Sequence, residues 1–125
     1  MARSVSFERI AVAANPQLEE ALAEASQVAE LLISFGAQAI PGPMDDPDIQ
    51  RKVRAREFDL LIAMGGDGTM LRAGHLCAPV DIPILGINLG HFGFLTEIQR
   101  GQWKAALPRL FRGEVWFESL SLIHI

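Results

Sequence analysis

The sequence has a single cysteine, only two lysines and no long apolar run. Cys77 has no second cysteine with which to form a disulfide inside the chain, which is typical of a protein from a reducing compartment. No uninterrupted apolar stretch reaches the roughly 18 residues of a membrane span, and the first ten residues, MARSVSFERI, lack the apolar core of a secretion signal. No cysteine and histidine spacing predicts structural zinc. We therefore expect a cytoplasmic protein with no membrane partner.

The charge balance argues against a nucleic-acid partner. The 125 residues carry 11 basic and 15 acidic side chains, a formal net charge of −4, whereas binding to a phosphate backbone needs a basic face. The charge is uneven, since residues 1–50 hold two arginines against eight acids and residues 51–125 hold nine basic against seven acidic side chains. The second stretch also has nine of the eleven glycines, so an anion would bind there.

The length fits one globular domain with its own hydrophobic core. Half of the residues are apolar and the mean hydropathy is +0.23, which is rich for so short a chain. One explanation is that part of the apolar surface contacts something outside this chain.

Short apolar runs alternate with segments of helical periodicity. The runs predict strands over 9–14, 59–64, 83–88 and 114–122, with a brief strand at 37–40 followed by a loop over 41–48. Apolar spacings of three and four predict helices over 18–35, after Asp46, over 69–78 and over 101–112. Asn15 and Pro16 predict the cap and first residue of the first helix, and Gly36 its end. This alternation predicts an α/β fold: a Rossmann-like open, mostly parallel sheet with helices on both faces.

Two glycine-rich turns, GGDGT at 65–69 and LGHFGF at 89–94, directly follow predicted strands. Ligands of parallel α/β sheets bind outside the carboxyl ends of the strands. The two turns are therefore candidates for one site.

The GGDGT turn has the chemistry of a phosphate cradle. A glycine-rich turn that enters a helix presents backbone N–H groups and the positive end of the helix dipole to an anion. Asp67 would repel that anion, unless it holds Mg²⁺ or accepts a proton from an attacking hydroxyl. The alternative is that Asp67 only caps the helix and the glycines only form a tight turn. The turn matches neither G-x-G-x-x-G nor the Walker A loop, which needs a lysine after the glycines.

The segment Met64 to Leu71, MGGDGTML, resembles the signature shared by NAD kinases, diacylglycerol and sphingosine kinases and phosphofructokinases. Gly86 to Glu97, GINLGHFGFLTE, resembles the NAD kinase family specifically. The resemblance implies transfer of a phosphoryl group from ATP, or from polyphosphate in some members, to the 2′-hydroxyl of the adenosine ribose of NAD, with Mg²⁺ or another divalent cation. A lipid or sugar kinase domain, or a nucleotide-binding fragment without activity, are the alternatives.

The resemblance also assigns expected roles. Asp67 would accept the proton of the ribose hydroxyl, while three residues would line the phosphates: Gly66, Gly68 and Thr69. Phe94 would pack against adenine, although such a phenylalanine can equally belong to the core. Leu71 would form a wall of the same pocket, and Arg72 would either reach a phosphate or lie on a solvated helix face. His75 is expected to pack or face solvent, and no residues are expected to form a protein metal site.

Proteins of this family continue into a β-rich domain that supplies an Asn-Glu motif, further NAD contacts and much of the oligomer contact. We therefore expect residues 1–113 to form the α/β nucleotide-binding domain and residues 114–125 to begin the strand that leads to the second domain. On this interpretation the chain is an N-terminal fragment with little or no kinase activity alone. The full-length protein is expected to be a homo-oligomer that binds NAD and ATP.

Overall fold

A computed structural model describes residues 7–89, 98–99, 101–111 and 122–123. Within these residues the chain forms one sheet of six strands in the order β2-β1-β3-β4-β5, with β6 paired to the start of β4. The first five strands are parallel and β6 is antiparallel. The strands are β1 (Arg9–Ala14), β2 (Gln38–Pro43), β3 (Leu60–Gly65), β4 (Ile84–Asn88), β5 (Ile98–Gln99) and β6 (Leu122–Ile123). The predicted α/β fold with a mostly parallel sheet is confirmed.

Helices cover both faces of this sheet. They are α1 (Glu19–Ser34), α2 (Pro47–Arg54), α3 (Asp67–Cys77) and α4 (Trp103–Phe111). One apolar cluster joins α1 and α4 to one face of the strands, and a second joins α2 and α3 to the other face. Because both faces are covered, β3 and β4 are buried along their whole length, which explains the apolar sequence of β3 and that of β4 up to Ile87.

The first helix starts later than its sequence predicts. Asn15 donates its backbone N–H to the Met64 carbonyl at 2.9 Å, which keeps it in line with β1, and its side chain accepts a hydrogen bond from the Gln17 N–H at 3.0 Å. Asn15 therefore forms a turn before the helix and is not its cap, which is Leu18. The predicted end is confirmed: Gly36 has a φ of +94°, and its N–H bonds to the Ile33 carbonyl at 2.9 Å.

The loop predicted over 41–48 is wrong in its first half, because β2 continues to Pro43. This strand lies at the edge of the sheet. Gln38 donates its N–H to the Glu8 carbonyl and Met44 donates its N–H to the Ala14 carbonyl. Backbone N–H groups of a strand alternate in direction, so the nitrogens of Pro41 and Pro43 point away from the sheet. No hydrogen-bond donor is needed there. The prolines also protect the edge from pairing with another chain.

The short second helix begins as predicted. Asp46 is its N-cap, and its carboxylate accepts a hydrogen bond from the Ile49 N–H at 3.3 Å. Pro47 is the first helical residue. Of the strand predicted over 114–122, only Leu122 lies within the described residues.

Candidate functional site

The carboxyl ends of the parallel strands meet along one edge of the sheet. The Met64 carbonyl accepts the Asn15 N–H at 2.9 Å, and the Gly65 carbonyl accepts the Leu89 N–H at 3.0 Å. The last residues of β3 and β4, Gly65 and Asn88, are paired in register. The chain leaves β1 toward β2 and returns to β3 on the other side of β1, so the GGDGT turn lies at the topological switch point, where doubly wound sheets bind ligands.

The GGDGT turn passes from β3 into α3 with no intervening loop. Gly65 ends the strand, Gly66 is the helix N-cap with extended backbone angles (φ −105°, ψ −161°), and Asp67 is the first helical residue. The first hydrogen bond of this turn runs from the Met70 N–H to the Gly66 carbonyl at 3.1 Å. Gly66 has no side chain that could accept the N–H groups of the first turn, and these groups form the anion-binding end of a helix.

Asp67 does not cap the helix, because the cap position belongs to Gly66. The alternative expectation that Asp67 occupies the cap position is therefore wrong. Asp67 is neither buried nor fully exposed. Its carboxylate stands in the first turn of α3, where the helix dipole favours negative charge. The arrangement places a carboxylate beside the backbone N–H groups at the positive end of a helix.

The three glycines of the turn differ in what the chain requires of them. A Cβ on Gly65 would lie 2.7 Å from the Cβ of Thr69, so packing requires glycine there. A Cβ on Gly66 or Gly68 would meet nothing within 4 Å, and neither residue has a positive φ. Within the described part of the chain, neither backbone conformation nor packing therefore explains Gly66 and Gly68.

The structure separates the other predicted site residues. Thr69 is buried, with 6% of its surface exposed, and packs against Gly65. Leu71 is 58% exposed on α3, a large apolar side chain left uncovered by the described residues. Arg72 is also exposed, but it lines a groove between α3 and α2 together with Arg54. Phe94 and most of the second glycine-rich turn lie outside the described residues.

The contribution of α2 to the surroundings of α3 is not apparent from the sequence. Arg54 and Arg72 are 18 positions apart and carry no shared motif, so only the packing of the two helices brings them to one groove. The sequence gives only a weak indication of this groove, namely that Gln50 and Arg54 are spaced to lie on one side of a helix.

Among the described residues, no group of three or more histidine, cysteine, aspartate or glutamate side chains could hold a metal ion. In the same residues, no helix has both the length and the apolar character needed to cross a membrane.

The sequence profile of the ATP-NAD kinase N-terminal domain matches residues 2–115. The chain belongs to the ATP-NAD kinase family. Its relatives include the NAD kinase of Chloroflexus aurantiacus, 35% identical over 117 residues, which are 94% of this chain and 42% of the relative. The NAD kinase of Moorella thermoacetica is 43% identical over 98 residues, 78% of this chain and 31% of the relative. The NAD kinase of Methanopyrus kandleri is 46% identical over 68 residues, 54% of this chain and 25% of the relative.

This member of the ATP-NAD kinase family therefore spans well under half the length of these relatives. The matched region includes β3, the GGDGT turn and all of α3. The GGDGT turn and the switch point of the sheet thus belong to the part of the chain that the family shares.

Proposed function

We propose that this chain forms the phosphate-binding part of an NAD kinase, which transfers a phosphoryl group to the 2′-hydroxyl of the adenosine ribose of NAD and so produces NADP. The observation that carries the proposal is the open face of Gly66 and Gly68, which no described residue fills, beside the carboxylate of Asp67. Gly68 lies inside the helix, where a glycine costs up to about 1 kcal/mol relative to alanine. A ligand that approaches the backbone closely is a reason to keep it.

In this proposal Asp67 accepts the proton of the ribose hydroxyl as its oxygen attacks the terminal phosphorus of the donor. A new oxygen–phosphorus bond forms, and the bond from that phosphorus to the leaving phosphate breaks. Gly66 and Gly68 give the phosphates access to the backbone N–H groups, and Thr69 lines the base of the turn. Phe94 would contact adenine and Leu71 would form an apolar wall.

We propose ATP or polyphosphate as the phosphoryl donor, with Mg²⁺ as the divalent cation. Mg²⁺ is commonly held by substrate phosphates, waters and one or two carboxylates. That mode needs no cluster of protein ligands, and the described residues offer no group of three or more that could hold a metal ion. Bound in this way, the ion would neutralise phosphate charge in a chain with only two lysines.

We further propose that this chain alone has little or no kinase activity. Its relatives are more than twice as long as the segment that they share with it, so NAD contacts are expected from sequence beyond that segment. A homo-oligomeric full-length enzyme remains a prediction.

The test is a hybrid enzyme in which this chain replaces the matched segment of the Chloroflexus aurantiacus NAD kinase. The hybrid is incubated with NAD, ATP or polyphosphate, and Mg²⁺, and NADP is measured with an NADP-specific dehydrogenase. We expect NADP formation by the hybrid, a loss of at least about 100-fold in the Asp67→Asn hybrid, and almost none from the chain alone.

Thermal unfolding of both hybrids shows whether they are folded. A folded hybrid that makes no NADP, or an Asp67→Asn hybrid as active as its parent, would contradict the proposed reaction. Phosphorylation of a diacylglycerol, a sphingosine or a sugar phosphate in place of NAD would assign the chain to another kinase. Efficient NADP production by the chain alone would contradict only the proposal about the fragment.

A further inference from the structure

Two residues with polar side chains are buried in the described part of the chain, Thr69 and Asn88. Thr69 is the third residue of α3 and the last residue of the GGDGT turn. Asn88 is the last residue of β4, only 1% exposed, and directly precedes the second glycine-rich turn. Both buried polar groups therefore lie where the glycine-rich turns meet the sheet.

The two side chains lie on the same face of the sheet, on either side of Gly65. Side chains alternate along a strand. Ile84 belongs to the apolar cluster of α2 and α3 and Ile87 to that of α1, so Asn88 lies on the α3 face. Its register partner is Gly65, about 4.8 Å away on the neighbouring strand. Because the Thr69 side chain lies over the α-carbon of Gly65, its hydroxyl and the Asn88 amide are neighbours.

The stability of the fold does not explain the Thr69 hydroxyl. In the described part of the chain this hydroxyl forms no hydrogen bond, although the residue is 94% buried. A valine would fill the same space without a hydroxyl to remove from water, and an apolar group of the same shape is neutral or stabilising in such a position. The hydroxyl therefore indicates a hydrogen-bond partner that arrives with a ligand.

The same point of the sheet also positions Asp67. Asp67 and Thr69 belong to the first turn of α3, and Leu89, which follows Asn88, donates its N–H to the Gly65 carbonyl at 3.0 Å. A hydroxyl rotates about its C–O bond and is both donor and acceptor. When an amide N–H donates to its oxygen, the hydroxyl proton is left to donate to another acceptor.

We propose that Asn88 is a positioning residue for the GGDGT turn: its amide N–H donates to the Thr69 hydroxyl, which donates to a phosphoryl oxygen of the bound ligand. The contacts form as the ligand binds, because hydrogen bonds of an active site often tighten only in the complex. Linked hydrogen bonds strengthen one another, so Asn88 acts on the ligand without touching it. This inference rests on the proposed function, since it needs phosphates at the turn.

The experiment is a double-mutant cycle in the hybrid enzyme, with Asn88→Leu, Thr69→Val and the double variant. Calorimetry measures the affinity for ATP and Mg²⁺ in the absence of NAD. We expect Thr69→Val to bind ATP about tenfold more weakly, because a hydrogen bond to a charged group is lost, and Asn88→Leu to bind it severalfold more weakly. The double variant should bind ATP as Thr69→Val does, because Asn88 acts through that hydroxyl.

The conservative variant Thr69→Ser keeps the hydroxyl and removes only a methyl group. It should bind ATP nearly as the parent hybrid does, although the lost methyl group makes it less stable. Thr69→Val should be at least as stable as the parent, although it binds ATP poorly. A merely structural role for Thr69 would give the same order for stability and affinity. Thermal unfolding measures the stability of each variant.

Gln50→Leu is the matched control for Asn88→Leu. It also removes a side-chain amide, one that donates to the Met44 carbonyl at 3.2 Å. This variant should be less stable than the parent and bind ATP equally well. Additive losses in the double variant would overturn the proposal, as would full affinity in Thr69→Val or affinities that follow stability across all variants.

The Asp67→Asn hybrid separates this inference from the proposed reaction. It should lose NADP formation and retain the coupling between Asn88 and Thr69 in ATP affinity, because the coupling does not use the carboxylate. A folded parent hybrid that shows the coupling but makes no NADP would contradict the reaction alone. An active hybrid without the coupling would contradict the positioning role alone.

Discussion

The side chain of Thr69 lies directly over the α-carbon of Gly65, so that a Cβ on Gly65 would be 2.7 Å from the Cβ of Thr69. This contact joins the last residue of β3 to the first turn of α3. The close approach fixes where the helix leaves the sheet, and with it the position of Asp67.

Gly65→Ala is therefore expected to destabilise the chain by about 1–3 kcal/mol, the usual cost of overpacking a tight site. Denaturant unfolding measures this loss. Gly68→Ala is the matched control, because a Cβ there meets nothing within 4 Å. Equal stabilities for the two variants would contradict the close packing of Gly65 and Thr69.

Gly68→Ala is expected to separate stability from function. An alanine in this exposed helical position should leave the free energy of unfolding unchanged or raise it by up to about 1 kcal/mol. If the open face of the turn admits phosphates, the same methyl group should reduce NADP formation by the hybrid enzyme. Steady-state kinetics and thermal unfolding measure the two effects. A hybrid with full activity would show that no ligand needs the space at Gly68.

The fold was predictable because its signals are local. A buried parallel strand is a continuous apolar run, and β1 matches the predicted strand over 9–14. Gly36 and Asp46 also act as predicted, because a helix end depends on one or two residues. Asn15 failed as a cap because a hydrogen bond to Met64, far away in sequence, holds its backbone. β2 can extend through Pro41 and Pro43 because it is an edge strand. The sequence of the segment does not reveal that edge position.

The candidate site also has a part that was predictable from local sequence and a part that was not. The GGDGT turn is one contiguous segment, so its place between a strand and a helix followed from sequence. The partnership of Arg72 with Arg54 needs the packing of two helices and could not be predicted. The roles expected of Phe94, Leu71 and Thr69 stay predictions.

Trp103 and Glu24 join α4 to α1. The indole N–H of Trp103 donates to a Glu24 carboxylate oxygen at 3.0 Å, and Trp103 is only 3% exposed. Glu24→Ala should cost about 1–3 kcal/mol because it leaves a buried donor without this acceptor, while Glu24→Gln should cost less because the amide oxygen can still accept. Urea denaturation followed by tryptophan fluorescence measures both losses. Glu30→Ala, at an exposed position of the same helix, should change little, and an equal loss there would contradict a specific role for Glu24.

Cys77 should make the chain sensitive to alkaline pH. Burial raises the pKa of the Cys77 thiol from 9.0 to about 12. Between these values the folded state keeps the proton and the unfolded state loses it, so stability present below pH 9 should fall as pH rises toward 12. The limiting slope for one group is about 1.4 kcal/mol per pH unit. The chain has no tyrosine, so few other groups ionise in this range.

Cys77→Ala should remove this part of the alkaline loss, although it costs about 1 kcal/mol or more at neutral pH through lost packing. Denaturant unfolding of both proteins from pH 7 to pH 11 measures the difference. Ala73→Gly, at another buried position on α3, should lower stability by the same amount at every pH, because it removes a methyl group and no titrating proton. A Cys77→Ala curve that stays parallel to the parent curve above pH 9 would mean that the thiol ionises equally in the folded and unfolded states. Its burial would then contribute nothing to the pH dependence.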